Sequence, residues 1–142
     1  MKDYKILVIY HNNDTDGYAS GALAKMFYDN VRDVFNRIDI NLIVEYKGYN
    51  YGKDSTVDTW LNPFNDNEMK YNHIVFIDVT PPLFWFEIVE NEIKNGNLFL
   101  TIFDHHQFAY NDIINRFNDV FVCNYVCCFF DNKICGAKIF YI

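Results

Sequence analysis

One short stretch separates the first apolar run of this chain from its first helical pattern, His11-Asn12-Asn13-Asp14-Thr15-Asp16-Gly17. The run before it, Ile6 to Tyr10, is typical of a strand buried on both faces. After it, from Gly17 to about Asn36, apolar residues recur at helical spacing, beginning with Ala19, Leu23, Met26 and Phe27. The stretch therefore follows the carboxyl end of a strand, where open parallel sheets bind ligands.

Two carboxylates within this stretch need an explanation. Asp14 and Asp16 repel each other unless a cation lies between them, and a divalent metal is the simplest such cation. Either residue could instead cap the amino end of the helix. One cap explains one aspartate, but it explains neither the second carboxylate nor His11.

The remaining chain alternates strands with helices, which predicts the α/β class. A helix that opens at Pro81-Pro82 and ends at Gly96 separates the third and fourth strands. We expect a mainly parallel five-stranded sheet in the order 2-1-3-4-5, with helices on both faces. The predicted later strands are Ile38 to Tyr46, His73 to Asp78, Leu98 to Phe103 and Asp119 to Asn124, and the predicted later helices are Tyr110 to Phe117 and Cys135 to Tyr141.

Composition narrows the class of protein. The chain has 142 residues, which predicts a single domain over 1–142. The net charge of −7 argues against a broad basic surface for duplex nucleic acid, but not against a small phosphorylated substrate. No apolar run approaches the roughly 20 residues of a membrane helix. We therefore expect a cytoplasmic protein with no membrane partner.

Three predicted strands end in residues that can bind metal. The first is followed by His11, Asp14 and Asp16, the third ends in Asp78, and the fourth is followed by Asp104, His105 and His106. In a parallel sheet these ends share one edge. Mixed histidine and carboxylate ligands suit Mn²⁺, Fe²⁺ or Zn²⁺ better than Ca²⁺. This number of ligands predicts two metals about 3.5–4 Å apart.

The same residues resemble a known family. His11-x-x-Asp14-x-Asp16-Gly17, Phe76-Ile77-Asp78-Val79-Thr80-Pro81 and Asp104-His105-His106 are similar, in order, to the first three motifs of the DHH phosphoesterases. That family includes single-strand exonucleases, small-RNA exonucleases, cyclic-dinucleotide phosphodiesterases and pyrophosphatases. The resemblance covers essentially the whole chain.

The resemblance implies a role for each residue. His11 and Asp14 would hold one Mn²⁺, Asp16 and His105 would hold the other, and Asp78 would bridge the two. His106 would contact the substrate phosphate, and Asp104 would orient a histidine. Mg²⁺ or another divalent metal could replace Mn²⁺. The plainer alternatives are that Asp104 only caps a turn and that His106 is an ordinary hydrogen-bonded polar residue.

The sequence departs from the family in one respect. The family has a fourth motif, an aspartate that completes the second metal site, and a C-terminal domain that grips the substrate. Asp131 and Asp119 are candidate replacements for that aspartate, although neither has the family's context. We expect a weaker second metal site, unless a partner chain or a missing C-terminal domain completes it.

The function implied by the resemblance is metal-dependent phosphohydrolysis. The leading hypothesis is a phosphodiesterase or exonuclease that attacks a short or single-stranded oligonucleotide, or another small phosphorylated substrate, with a metal-bound hydroxide. One alternative is a pyrophosphatase or polyphosphatase. The other is an inactive metal-binding module with a regulatory role.

Overall fold

The computed structural model of the chain describes residues 1–12, 14–50, 62–106, 126–130 and 138. The elements within these residues, in chain order, are β1 (Lys2–His11), α1 (Thr15–Arg37), β2 (Ile40–Tyr49), β3 (Phe64–Asn65), β4 (Glu68–Met69), β5 (His73–Ile77), α2 (Leu83–Lys94), β6 (Phe99–Asp104) and β7 (Val126–Phe130). Neither α1 nor α2 has the length and apolar composition that a membrane span requires.

Five of the strands form one parallel sheet in the order β2-β1-β5-β6-β7. The predicted α/β class is confirmed. Leaving out β3 and β4, which pair antiparallel as a separate hairpin, this order reads 2-1-3-4-5. The last strand lies at Val126–Phe130, later than the strand predicted at 119–124. That segment, the helix predicted over 110–117 and all but Lys138 of the helix predicted over 135–141 lie outside the described residues.

The two helices cover opposite faces of the sheet, as predicted. Alternate residues of a strand point to opposite faces, and β1 shows this directly. Val8 belongs to a buried cluster with Ala24 and Tyr28 of α1, whereas Ile9 belongs to a cluster with the α2 residues Trp85, Phe86 and Val89. The connections β1–α1–β2 and β5–α2–β6 thereby bring the carboxyl ends of β1, β5 and β6 to one edge.

The rotation of α1 differs from the sequence prediction. The helical spacing of Met26 and Phe27 predicts that both side chains face the core, yet they are 62% and 50% exposed. The buried residues of α1 are instead Gly17, Ser20, Ala24 and Tyr28. Three of these four are small, and small residues let a helix lie close to a sheet. Close packing, rather than the largest apolar area, therefore sets which side of α1 faces the core.

The strand β2 is longer than predicted. The sequence predicts that this strand ends at Tyr46 and is followed by an irregular connection, whereas β2 continues to Tyr49. The Asn12 amide donates to the Tyr49 carbonyl oxygen at 2.9 Å and so extends the pairing of the two strands. Gly48 leaves room for this approach, since a Cβ there would lie 2.7 Å from Asn12 Nδ2. Residues 51–61 lie outside the described residues.

Replacing Gly17 with alanine is expected to destabilise the protein. A Cβ on Gly17 would overlap the backbone carbonyl oxygen of His11, so α1 must move away from β1. Overpacking of this kind costs about 1–3 kcal/mol. Gly21→Ala is the matched control, because the nearest atoms to its Cβ would be those of the Tyr10 ring at 3.1–3.2 Å, and alanine favours a helix over glycine by about 1 kcal/mol. Urea unfolding of both variants measures the difference, and equal stabilities would contradict the close packing.

Candidate metal centre

The predicted site residues meet at the carboxyl edge of the sheet. His11 is the last residue of β1, Asp78 directly follows β5, and Asp104 is the last residue of β6. Because β5 lies between β1 and β6, Asp78 occupies the middle of this edge. The first turn of α1 brings Asp14 and Asp16 to the same place.

Asp78 is the central residue of the site. Its side chain is fully buried; its Oδ1 lies 2.7 Å from His105 Nε2 and its Oδ2 lies 3.4 Å from His11 Nδ1. The backbone at Asp78 has a φ of 61°, in the left-handed region that aspartate tolerates better than most residues. Its amide donates to the Phe103 carbonyl oxygen at 2.8 Å, which fixes the turn. One carboxylate therefore faces a histidine from each neighbouring strand.

Asp14 combines both roles considered from the sequence. Its Oδ1 accepts a hydrogen bond from the Gly17 amide at 2.8 Å, so it is the N-cap of α1. Its other oxygen, Oδ2, lies 3.6 Å from His11 Nδ1. The cap holds the carboxylate in place while the second oxygen faces the site.

Asp16 lies on the other side of the site, beside His105. Its Oδ2 is 3.5 Å from His105 Nε2, the nitrogen that also lies close to Asp78. The helix that Asp14 caps begins at Thr15, so Asp16 is carried by its first turn. Asp14 and Asp16 thus approach different histidines.

Asp104 and His106 form a hydrogen-bonded pair. Asp104 is fully buried, and its Oδ1 lies 2.6 Å from His106 Nδ1. Its Oδ2 accepts a hydrogen bond from the Thr80 hydroxyl at 2.5 Å. Thr80 lies within the quoted motif around Asp78 but has no predicted role in the site, since a threonine after a strand is an ordinary turn residue.

Burial and neighbouring charges shift the pKa values of three residues of the site. Burial, followed by the neighbouring charges of Asp16 and Asp14, raises the pKa of Asp78 to about 8. Burial lowers the pKa of His11, an effect that Asp14 opposes. The hydrogen bond to Asp104 raises the pKa of His106. The cluster therefore disfavours its own negative charge, which a divalent cation would compensate.

Two overlapping groups of side chains have the spacing needed to bind a metal ion. One contains His11, Asp14 and Asp78; the other contains Asp78, Asp104, His105 and His106; within each group the ligand atoms lie within 4.8 Å of one another. Asp78 belongs to both groups. Its Oδ2 is buried and accepts no hydrogen bond within the described part of the chain, and such oxygens are rare without a partner. The donors fit a divalent metal, whose identity the geometry leaves open.

Substitutions at Asp14 are expected to separate its two roles. Asp14→Asn keeps a side-chain oxygen that can accept from Gly17 but removes the charge that faces His11. We expect stability within about 0.5 kcal/mol of wild type, whereas Asp14→Ala loses about 1 kcal/mol with the cap. Both variants should bind Mn²⁺ at least about tenfold more weakly. Loss of an outer-shell partner already lowers metal affinity by about 10–100-fold, and loss of a direct ligand should lower it at least as much. Urea unfolding and titration calorimetry measure the two effects; undiminished Mn²⁺ affinity in Asp14→Asn would leave Asp14 with the cap alone.

Comparisons with known proteins do not place the chain in a family. No protein-family model, curated protein or solved structure matches it. What supports a function is therefore the set of residues at this edge and their geometry.

Proposed function

We propose that this protein is a metal-dependent phosphohydrolase of the DHH type, acting on phosphodiester bonds of short or single-stranded oligonucleotides. The observation that carries the proposal is the position of Asp78, whose two oxygens face His11 at 3.4 Å and His105 at 2.7 Å. A carboxylate shared between two histidine-containing groups could bridge the two metals of a two-metal hydrolase.

The two candidate groups share Asp78, and Asp16, which belongs to neither group, lies beside His105 with its Oδ2 at 3.5 Å from Nε2. We assign His11 and Asp14 to one metal and Asp16 and His105 to the other. Bound divalent cations would supply a water of lowered pKa and neutralise charge that develops on the phosphoryl oxygens. Asp104 is placed outside both sets, because each of its oxygens already accepts a hydrogen bond.

His106 is the residue that we assign to the substrate. Its Nδ1 is bound to Asp104, so Nε2 is the ring nitrogen that would meet a phosphoryl oxygen. The raised pKa of His106 favours the protonated imidazolium, which attracts an anionic phosphate. The bond to Asp104 supports the same role by holding the ring in one orientation.

Small substrates agree with the charge of the chain. A net charge of −7 offers no broad basic surface on which a long duplex could bind. Recognition then depends on the metals and on His106, both of which act on the phosphoryl group itself. This supports a substrate with few phosphates, such as a short oligonucleotide.

The test is hydrolysis of a short fluorescent oligonucleotide with added Mn²⁺, compared with hydrolysis of inorganic pyrophosphate. We expect oligonucleotide cleavage that depends on Mn²⁺ and is lost in His105→Asn. Asp29→Asn is the control, because Asp29 is an exposed residue of α1 that pairs with Lys25. Preferential hydrolysis of pyrophosphate would favour a pyrophosphatase instead. Mn²⁺ binding without turnover of either substrate would overturn the enzymatic proposal and leave a metal-binding module.

A further inference from the structure

The Asp104 carboxylate accepts hydrogen bonds on both oxygens. Oδ1 accepts from the backbone amides of His105 at 2.8 Å and His106 at 3.4 Å, and it lies 2.6 Å from His106 Nδ1. Oδ2 accepts from the Thr80 hydroxyl at 2.5 Å. The contacts on Oδ1 come from the two residues that follow Asp104, whereas Thr80 reaches it from a different strand end.

Thr80 is well placed to fix this carboxylate. It is 3% exposed and follows Asp78 by two residues, just before Pro81 and Pro82. A buried carboxylate needs donors on its oxygens. Because the terminal torsion of aspartate has a broad, roughly two-fold profile, contacts on Oδ1 alone hold the group less firmly than contacts on both oxygens.

We propose that Thr80 is a positioning residue that holds Asp104 in the orientation required by His106. With Thr80 bound to Oδ2, Oδ1 remains directed at His106 Nδ1, so the proton of the neutral ring stays on Nδ1. The same bond keeps Asp104 out of the metal coordination sphere, although its oxygens lie near those of Asp78. The effect on catalysis rests on the function proposed above, whereas the orientation of His106 does not.

Two variants separate the hydroxyl of Thr80 from the rest of its side chain. Thr80→Val removes the hydroxyl and keeps the branched shape, while Thr80→Ser keeps the hydroxyl. Thr101→Val is the matched control, because it removes a threonine hydroxyl that bonds a different side chain, His73 Nε2 at 2.8 Å, and not Asp104. Should Thr80→Val not fold, Thr80→Ala tests the same loss.

The direct measurement is the tautomer of His106, observed by long-range ¹H–¹⁵N NMR of the metal-free protein at pH 9. We expect one tautomer, with the proton on Nδ1, in wild type, Thr80→Ser and Thr101→Val, and a mixture of tautomers in Thr80→Val. This signal would not move if Thr80 only filled space. A single unchanged tautomer in Thr80→Val would overturn the proposal.

Kinetics test the catalytic consequence. We expect kcat on the oligonucleotide to fall about 10–100-fold in Thr80→Val, the usual cost of losing an outer-shell partner, with Mn²⁺ affinity within about threefold of wild type. Thr80→Ser should restore kcat. An equal fall in Mn²⁺ affinity would show that Thr80 supports a metal ligand and not His106. If wild type cleaves neither substrate, the proposed function fails while the NMR measurement still decides the role of Thr80.

Discussion

Replacing Asp78 with asparagine is expected to abolish high-affinity Mn²⁺ binding and, at the same time, to stabilise the metal-free protein. Asp78 belongs to both candidate metal groups, so both lose a charged ligand. Its pKa of about 8, against an ordinary value of 3.8, means that the folded state resists ionisation. Stability is therefore lost as the pH rises from about 3.8 to about 8, and asparagine removes that loss. At 1.36 kcal/mol per pKa unit, the gain at pH 7 reaches up to about 4 kcal/mol.

Urea unfolding and Mn²⁺ calorimetry on the same samples measure both halves of this prediction. Wild type should gain stability on adding Mn²⁺, because a ligand of the native state alone adds RT ln(1 + [L]/Kd), whereas Asp78→Asn should gain none. Asp29→Asn, on the exposed side of α1, should match wild type in both measurements. Tight Mn²⁺ binding by Asp78→Asn would remove Asp78 from its central role.

Acidification below pH 6.5 is expected to destabilise the protein through His73. Burial lowers the pKa of this histidine from 6.5 to about 4, so the unfolded chain binds the proton more readily than the folded one. The stability that depends on a neutral His73 is fully present above pH 6.5 and is lost as the pH falls towards 4. The shift corresponds to about 3 kcal/mol.

The measurement is best made in the Asp78→Asn background, since ionisation of Asp78 changes stability in the opposite direction over part of the same pH range. In that background, stability should fall between pH 6.5 and 4. A further His73→Gln substitution should flatten the dependence of the free energy of unfolding on pH between 6.5 and 4. It should change that free energy less above pH 7 than near pH 4. Parallel curves with and without His73 would mean that other groups govern the acid limb.

The main elements of the sheet were predictable because their signals are local. The apolar run from Ile6 to Tyr10 and the run from His73 to Asp78 each match a strand buried on both faces. Gly96 ended the predicted helix and has a φ of 76° just after α2, as a helix C-terminus requires. Once the strands were known, parallel pairing brought His11, Asp78 and Asp104 to one edge.

Other features depend on contacts between distant residues and were not predictable. The exposure of Met26 and Phe27 follows from how closely α1 lies on β1, which periodicity does not contain. The extension of β2 to Tyr49 depends on Asn12, and the β3–β4 hairpin has strands too short for a periodic signal. Thr80 joins the site through its hydrogen bond to Asp104, which is 24 residues away. No pattern in the sequence around Thr80 predicts this contact.

The position of Asp78, between a histidine that ends β1 and a histidine that follows β6, also has a consequence for folding. The proposed ligands come from three parts of the chain that are remote in sequence, which are the stretch with His11, Asp14 and Asp16, then Asp78, then His105. They meet only where β5 is paired with both β1 and β6, and because closing the long loops between them has an entropic cost, we expect these contacts to form late in folding. A metal ion at this edge would find its ligands assembled only in a nearly complete sheet. A bound metal would then slow unfolding more than it speeds folding, because its ligands come together only after the sheet has formed.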